Sequence, residues 1–161
     1  MGLIIKNKIQ ELMQGYPTIS DKYDVAPAVL EGATNVVAGA PVTVTGEAGR
    51  YKACTTAADM VAGFVLATNV KVPATYPAAA GVQEYAAGDA FNLMFKGFIA
   101  VPLDAGATAE NIANGKAVAM LAGGKLTTTG TASATDIPGA YFTGCKEVIN
   151  GVTIAEIAYN V

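Results

Sequence analysis

The apolar run between residues 87 and 102 most constrains what this chain can fold into, because it contains three of the five phenylalanines. Gly88-Asp89 before the run is a turn signal, since glycine tolerates a positive φ and an aspartate side chain can bond its own backbone. Lys96-Gly97 interrupts the run and Pro102 ends it. Two apolar runs on either side of such a corner predict a hairpin, or one bulged and sharply bent strand, at the buried centre of a β-structure.

The composition indicates a single domain with a surface of low charge. At 161 residues the chain can bury roughly 70% of its unfolded surface, and only 14% of its residues are charged. The ten lysines and arginines are scattered singly, whereas a protein that binds a phosphate backbone needs a clustered basic face. Nucleic acid is therefore disfavoured as a partner.

The lack of histidine weighs against catalysis. Without it the chain has neither the commonest general base nor the Ser-His and Cys-His nucleophile pairs, and it lacks the commonest zinc ligand. Cys54 and Cys145 are too few for a disulfide framework or a structural zinc site. They are expected to be small buried apolar residues, and whether they pair stays open. The sequence predicts a protein that is not an enzyme and that uses no cofactor or metal.

No segment has the length of a signal-peptide core or of a membrane span. Leu3-Ile4-Ile5 is far too short for either. We therefore expect synthesis in a reducing cytoplasm and no membrane partner.

Residues 1–35 are predicted to be an N-terminal arm and connector, followed by a β-rich domain over residues 36–161. Apolar residues near helical spacing make residues 3–14 either a short helix packed on its own domain or an arm that docks on a neighbouring subunit. The arm is favoured, because a terminal segment is ordered only when it is tied down. Residues 18–32 are irregular and predict an extended surface connector. The loop 71–83 is the second candidate for contacts, after the arm residues Leu3, Ile5, Ile9, Leu12, Met13 and Tyr16.

Short β-type runs separated by glycine turns predict antiparallel strands over residues 36–161. Gly123-Gly124, for example, lies between two apolar runs and is a hairpin signal. A faint internal repeat relates residues 39–64 to residues 115–141. Each copy has the order strand, glycine turn, short strand, polar link, Asp-apolar segment and Gly-aromatic segment. Two related halves on a shared core predict a compact β-barrel or β-sandwich.

Two groups of residues are candidate sites. The first group consists of aspartates at glycine-rich turns, which could act as a carboxylate pair or bind a cation. The favoured interpretation is that they stabilise the turns, because aspartate is preferred there for its hydrogen bonds to the backbone. These residues are Asp59, Asp89, Asp104 and Asp136. The second group consists of tyrosines, which could form a sugar-binding platform, although tyrosines more often lie in the core or at its rim. These residues are Tyr51, Tyr76, Tyr85, Tyr141 and Tyr159. No catalytic constellation is predicted.

Several short motifs occur in one register along the chain: Gly15-Tyr16-Pro17, Gly39-Ala40-Pro41-Val42, Asp59 to Gly63-Phe64, Tyr85-Ala86-Ala87-Gly88-Asp89 and Gly97-Phe98-Ile99-Ala100-Val101. In this order they resemble the capsid cement, or head decoration, proteins of tailed bacteriophages. The resemblance extends over residues 15–161, whereas residues 1–14 match no family pattern. It implies a small β-rich domain bound outside a phage head, commonly as trimers that bridge neighbouring major capsid subunits, and it supplies no catalytic residues.

The low charge of the chain agrees with this role, since the cores of protein interfaces are depleted of charge. We therefore expect a non-enzymatic structural protein of the virion, on the capsid exterior and made in the bacterial host cytoplasm. Its expected partners are the major capsid protein and further copies of itself, with a trimer suspected. A phage tail or baseplate subunit and a carbohydrate-binding β-module stay open as alternatives.

Overall fold

The computed structural model describes residues 12–19, 23–67 and 83–161. The described part is mainly β, as predicted, with one 3-10 turn at Ala109–Asn111. Its strands, in chain order, are β1 Asp24–Glu31, β2 Val36–Val37, β3 Pro41–Val44, β4 Arg50–Ala53, β5 Gly63–Leu66, β6 Glu84–Tyr85, β7 Ala90–Pro102, β8 Ala117–Met120, β9 Leu126–Thr128, β10 Thr135–Ile149 and β11 Val152–Tyr159.

Five of these strands close into a barrel. Their order is β1-β4-β3-β5-β7, and β1 also pairs with β7, which completes the ring. β1 runs parallel to β4, and the other neighbours in the ring are antiparallel. Closure leaves no free sheet edge within the ring. The predicted compact barrel is confirmed.

The central run identified in the sequence is one bent strand, and the hairpin alternative is wrong. The part of β7 up to Lys96 pairs with β1 and β5, whereas the part from Gly97 onward pairs with β11. Gly97 has a φ of 138°, a conformation that strongly favours glycine. The Lys96-Gly97 corner is therefore where one strand leaves the first barrel and enters a second sheet.

The second sheet repeats the topology of the first barrel. Its order is β7-β11-β10-β8-β9, and a parallel bridge between Leu103 and Leu126 brings β9 back to the end of β7. The β8-β9 hairpin corresponds to β3-β4, and β10 corresponds to β5. The repeat seen in the sequence thus matches a repeated pairing pattern, in which β7 closes the first unit and opens the second.

Two apolar cores lie on opposite faces of β7. Leu93 belongs to the core of the first barrel, whereas Met94 belongs to the core of the second sheet. β5 is shared in the same way, since Val65 faces the first core and Phe64 the second. The ring of Phe64 packs edge-on against Tyr159 of β11, with centroids 5.1 Å apart. Both strands are therefore apolar on both faces because each separates two cores.

β1 corrects the prediction for the residues that precede the domain. A surface connector was expected over residues 18–32, yet Asp24–Glu31 is a strand that closes the first barrel. Pro27 and the weak alternation around it concealed this strand. Pro27 precedes Val29, where pairing with β4 begins, so its missing N–H lies where β1 has only one neighbour. The barrel therefore includes residues that a boundary between 35 and 36 would exclude.

Candidate functional site

Residues 12–18 lie against the junction of the two sheets and include a turn, in which the Tyr16 N–H donates to the Met13 carbonyl at 3.0 Å. The Gly15 N–H donates to the Ala100 carbonyl at 2.7 Å, and the Ala100 N–H donates to the Tyr16 carbonyl at 3.1 Å. On the other side, the N–H of Ala67, just beyond β5, donates to the Gly15 carbonyl at 2.7 Å. The segment is thus bonded both to β7 and to the end of β5.

Gly15 packs so closely against Ala38 that there is no space for a side chain at this position. Its φ is 77°, and a Cβ added there would overlap the Cβ of Ala38 and lie 2.9 Å from the Ala38 carbonyl carbon. The Gln14 side-chain amide also donates to the Ala38 carbonyl at 2.8 Å. Only glycine combines this backbone conformation with so close an approach. The motif Gly15-Tyr16-Pro17 therefore has a packing role at the junction.

The predicted contact residues fall into three groups. Leu3, Ile5 and Ile9 lie outside the described residues, as does nearly all of the 71–83 loop. Met13 is 58% exposed and Tyr16 is half-buried. The third group is Leu12 alone, which is buried.

Leu12 packs on its own chain. Its side chain is only 8% exposed and lies in a small cluster with Ala100 and Ile154, and its N–H donates to a carboxylate oxygen of Glu147 at 3.2 Å. A side chain buried in this way has little surface left for a neighbour. Leu12 therefore anchors the segment, a role that apolar spacing alone did not reveal.

The tip of the β10-β11 hairpin exposes apolar side chains that sequence reasoning did not single out. Val148 is 68% exposed and Val152 is 43% exposed. The connecting Asn150-Gly151 has positive φ at both residues, the geometry of a tight hairpin turn. That dipeptide between two apolar runs was the signal that could have found the hairpin. The tip lies beside the N-terminal segment, since Leu12 bonds to Glu147.

A further exposed apolar residue lies on a loop that is held in shape by a carboxylate. Asp59 accepts the N–H groups of Thr55 and Thr56 at 2.6 and 3.0 Å and the Thr56 hydroxyl at 2.8 Å. These hydrogen bonds, led by the Thr56 backbone bond, lower the pKa of Asp59 to about 2. The next residue, Met60, is 74% exposed. The turn interpretation of Asp59 agrees with this geometry.

Two further aspartates and two of the tyrosines also have structural partners, whereas Tyr76 lies outside the described residues. Asp89 accepts the Ala86 N–H at 2.9 Å, and Asp104 accepts the Gly106 N–H at 3.0 Å. Tyr85 and Tyr159 are buried, and their hydroxyls donate to backbone carbonyls. A tyrosine platform is therefore wrong for these two residues. Within the described ranges, no three His, Cys, Asp or Glu side chains come together to hold a metal ion, and no helix there is long and apolar enough to cross a membrane.

The two cysteines differ in environment. Cys54 is buried, as predicted, whereas Cys145 is exposed on β10, which corrects the prediction for that residue. Cys145 lies beyond Tyr141, the last residue through which β10 pairs with β8, so no strand covers it on that side in the described part. Both thiols are free. Burial, with a smaller contribution from the charge of Asp59, raises the pKa of Cys54 to about 12.

A groove of about 390 Å³ lies between the two sheets. It is lined mainly by small and apolar residues, and the pair Asp104 and Lys125 lies on its wall with 3.9 Å between carboxylate and ammonium. The Asp104 carboxylate already accepts a backbone N–H. The groove is therefore a mainly apolar concave surface, and the carboxylate on its wall is engaged in bonds within the protein.

Two joined β-structures thus carry exposed apolar side chains on a terminal segment, a hairpin tip and a loop. The chain belongs to a family of structural cement proteins: the family model "Structural cement protein (E217 gp24/Pam3 gp6)" matches residues 7–160. The resemblance seen in the sequence is confirmed, and its predicted extent is corrected, because residues 7–14 also match the family model. The protein is accordingly a phage capsid-associated structural protein with a location in the virion.

A solved structure shares the fold. A chain from "The capsid of Myoviridae Phage XM1" superposes with a TM-score of 0.63, over 96% of this chain and 95% of that chain, at 17% sequence identity. At this identity the likeness shows the fold alone. No curated protein matches the sequence.

Proposed function

We propose that this protein binds the outside of a phage capsid, bridges neighbouring major capsid subunits and has no catalytic activity. The observation that carries the proposal is the N-terminal segment, which is fixed to both sheets through Gly15 and leaves Met13 exposed. A binder that recognises only the assembled shell stabilises that shell by its binding free energy. Assembly as a homotrimer, without nucleic acid or membrane partners and after synthesis in the host cytoplasm, is part of the proposal.

The contacts are assigned to the residues that precede the anchor. Leu3, Ile5 and Ile9 supply apolar side chains, and Met13, which directly follows the anchor Leu12, adds an exposed one. Leu12 anchors the segment through its packing against Ala100 and Ile154. Tyr16 contributes only the part of its side chain that its half-buried position leaves open.

Deletion of residues 1–11 tests this assignment, because it removes the contact residues and keeps the anchor Leu12. We expect the shortened protein to fold with unchanged circular dichroism and to bind stripped phage heads less tightly than the full chain. Occupancy is measured by quantitative mass spectrometry of heads after sedimentation. Unchanged occupancy would show that the arm is not the contact.

Two exposed methionines give a matched pair of point variants. Met13→Ser should weaken binding to heads, since a buried methionine contributes roughly 2 kcal/mol relative to an exposed one. Met60→Ser makes the same chemical change on the 55–60 loop and should leave binding unaltered. If only Met60→Ser weakens binding, the contact belongs to that loop instead.

The copy number in virions separates the cement role from the tail alternative. A ratio to the major capsid protein near unity is expected of a protein that covers the shell. A few copies per particle would instead indicate a tail or baseplate subunit.

A further inference from the structure

Two Asn-Gly dipeptides lie on turns of the chain, and they differ in how the backbone around them is held. Asn114-Gly115 precedes β8, and Asn150-Gly151 connects β10 to β11. All four residues are exposed. Asparagine is a thermolabile residue, and it loses its side-chain amide most readily before glycine, because glycine has no side chain to hinder attack by its own nitrogen.

The loss of the amide is a reaction between the asparagine side chain and the nitrogen of the next residue. That nitrogen gives its proton to hydroxide and forms a bond to Cγ of the asparagine. The bond from Cγ to the side-chain nitrogen breaks, and this nitrogen takes a proton from water and leaves as ammonia. Water then opens the succinimide ring at either carbonyl carbon, which gives aspartate or isoaspartate. Hydroxide is regenerated, so the net change is the hydrolysis of an amide by water.

The turn at Asn114 holds the glycine nitrogen away from this reaction. The Gly115 N–H donates to the carbonyl of Phe142 on β10 at 2.9 Å, and the Phe142 N–H donates to the Lys116 carbonyl at 2.8 Å. The Lys116 N–H in turn donates to the Ala113 carbonyl at 3.0 Å and closes the turn. Attack by the Gly115 nitrogen therefore requires the loss of a hydrogen bond to a neighbouring strand.

The turn at Asn150 lacks this restraint. Its two residues have φ of 50° and 80°, the geometry of a tight hairpin connection, and the flanking pair Ile149 and Val152 is the last of the β10-β11 ladder. Within the described ranges the Gly151 N–H donates to no backbone carbonyl, and a Cβ added to Gly151 would have no atom within 4 Å. Ring closure requires Asn150 to leave its left-handed conformation. Only the end of the hairpin has to open for this, and exposed tips of this kind open at a low cost in free energy.

We propose that Asn150 is a site of spontaneous deamidation in the folded protein, whereas Asn114 is protected. The product carries a carboxylate between the exposed side chains of Val148 and Val152, so the reaction adds a negative charge to the apolar tip of the hairpin. Isoaspartate also adds a methylene to the backbone, and a two-residue turn depends on its exact length for the register of its strands. The inference does not depend on the proposed function.

Peptide mass spectrometry of the full-length protein tests the proposal without a variant. Folded protein and protein in urea are incubated at mildly alkaline pH and then digested with trypsin at mildly acidic pH, which separates the two sites on residues 97–116 and 147–161. The replacement of the amide by a carboxyl group is followed with time, and fragment ions assign it to Asn150 rather than Asn160. In the folded protein we expect Asn150 to react about tenfold or more faster than Asn114. In urea the two rates should be similar, because neither turn is then formed.

A matched pair of variants gives an independent measurement. Glutamine forms the corresponding ring much more slowly than asparagine, because that ring has an additional atom. On anion exchange of incubated folded protein, Asn150→Gln should abolish the more acidic form that accumulates in the wild type, whereas Asn114→Gln should leave it unchanged.

Other outcomes overturn the proposal. Equal rates at the two sites in the folded protein would mean that the bond from Gly115 to Phe142 gives no protection, and a faster reaction at Asn114 would place the reactive site there. Reaction at neither site in the folded protein, with reaction at both in urea, would mean that the hairpin tip does not open enough for ring closure. All these measurements use the isolated protein, so their failure leaves capsid binding untouched.

Discussion

Replacing Gly15 with alanine should destabilise the protein much more than the same replacement at Gly115. The two glycines have nearly the same backbone conformation, with φ of 77° and 79°, and this left-handed conformation costs an alanine about 1–2 kcal/mol at either position. Gly115 has no atom within 4 Å of an added Cβ, whereas at Gly15 that Cβ would overlap Ala38. The difference between the two variants therefore isolates the close approach at the junction.

The additional loss of unfolding free energy in Gly15→Ala comes from the contacts that break when the N-terminal segment moves away from Ala38. To relieve the overlap, the segment has to withdraw, which breaks its bonds to Ala100 and Ala67. Each is worth about 1 kcal/mol, and Leu12 loses roughly 2 kcal/mol of apolar burial when it leaves its cluster. Gly15→Ala should thus cost about 3–4 kcal/mol more than Gly115→Ala.

The free energies of unfolding are measured by urea titration followed by circular dichroism. Adding Ala38→Gly to Gly15→Ala removes the Cβ that is in the way, so the double variant should recover part of the loss, with a coupling energy above about 0.5 kcal/mol. Equal losses for Gly15→Ala and Gly115→Ala would refute the reasoning, because backbone strain alone would then account for both.

Three further predictions concern the first barrel, the second sheet and the 55–60 loop. Gly63→Ala should cost about 1–3 kcal/mol or more in urea unfolding, because the new Cβ would overlap the Met94 carbonyl oxygen inside the first barrel; a neutral result would show that β5 can shift. Tyr159→Phe should cost about 1–2 kcal/mol, since it leaves the buried Val61 carbonyl without the hydroxyl that donates to it at 2.9 Å; an unchanged midpoint would mean that another donor replaces it. The folded-state pKa of Asp59 is lowered from 3.8 to about 2, so its contribution to stability is present above pH 4 and is lost as the pH falls towards 2. The difference in melting temperature between wild type and Asp59→Asn should therefore narrow over that range, and a constant difference would contradict the shifted pKa.

Most of the β-architecture could be predicted because it depends on local signals. Apolar runs bounded by glycine turns mark strands irrespective of their partners, and the Lys96-Gly97 corner marks a bend in β7. The repeated order of short segments was visible for the same reason. β1 was missed, since its identity depends on partners far along the chain, β4 and the first half of β7, and Pro27 argues locally against a strand.

The contact surface was less predictable, because apolar periodicity does not say which partner a residue meets. Leu12 and Met13 are adjacent and apolar, yet the first packs on Ile154 and the second is exposed. Similarly, Cys145 is exposed and lies where the register between β10 and β11 shifts, beyond the last residue that pairs with β8. Such outcomes depend on how distant strands pair, and nothing in the neighbouring sequence marks that pairing.

The strand β7 belongs to both the first barrel and the second sheet, so it joins them into one rigid unit. Without β7 the first barrel cannot close, and the second sheet loses the strand on which β11 pairs. Because the residues of β7 and β5 alternate between two cores, loss of packing in one core exposes strands of the other, and a single cooperative unfolding transition is expected. The N-terminal segment reinforces this coupling through Gly15, which bonds to the ends of both strands. The exposed apolar residues Met13 and Val148 are consequently carried on one rigid support, because the segment and the hairpin that bear them are both attached to β7.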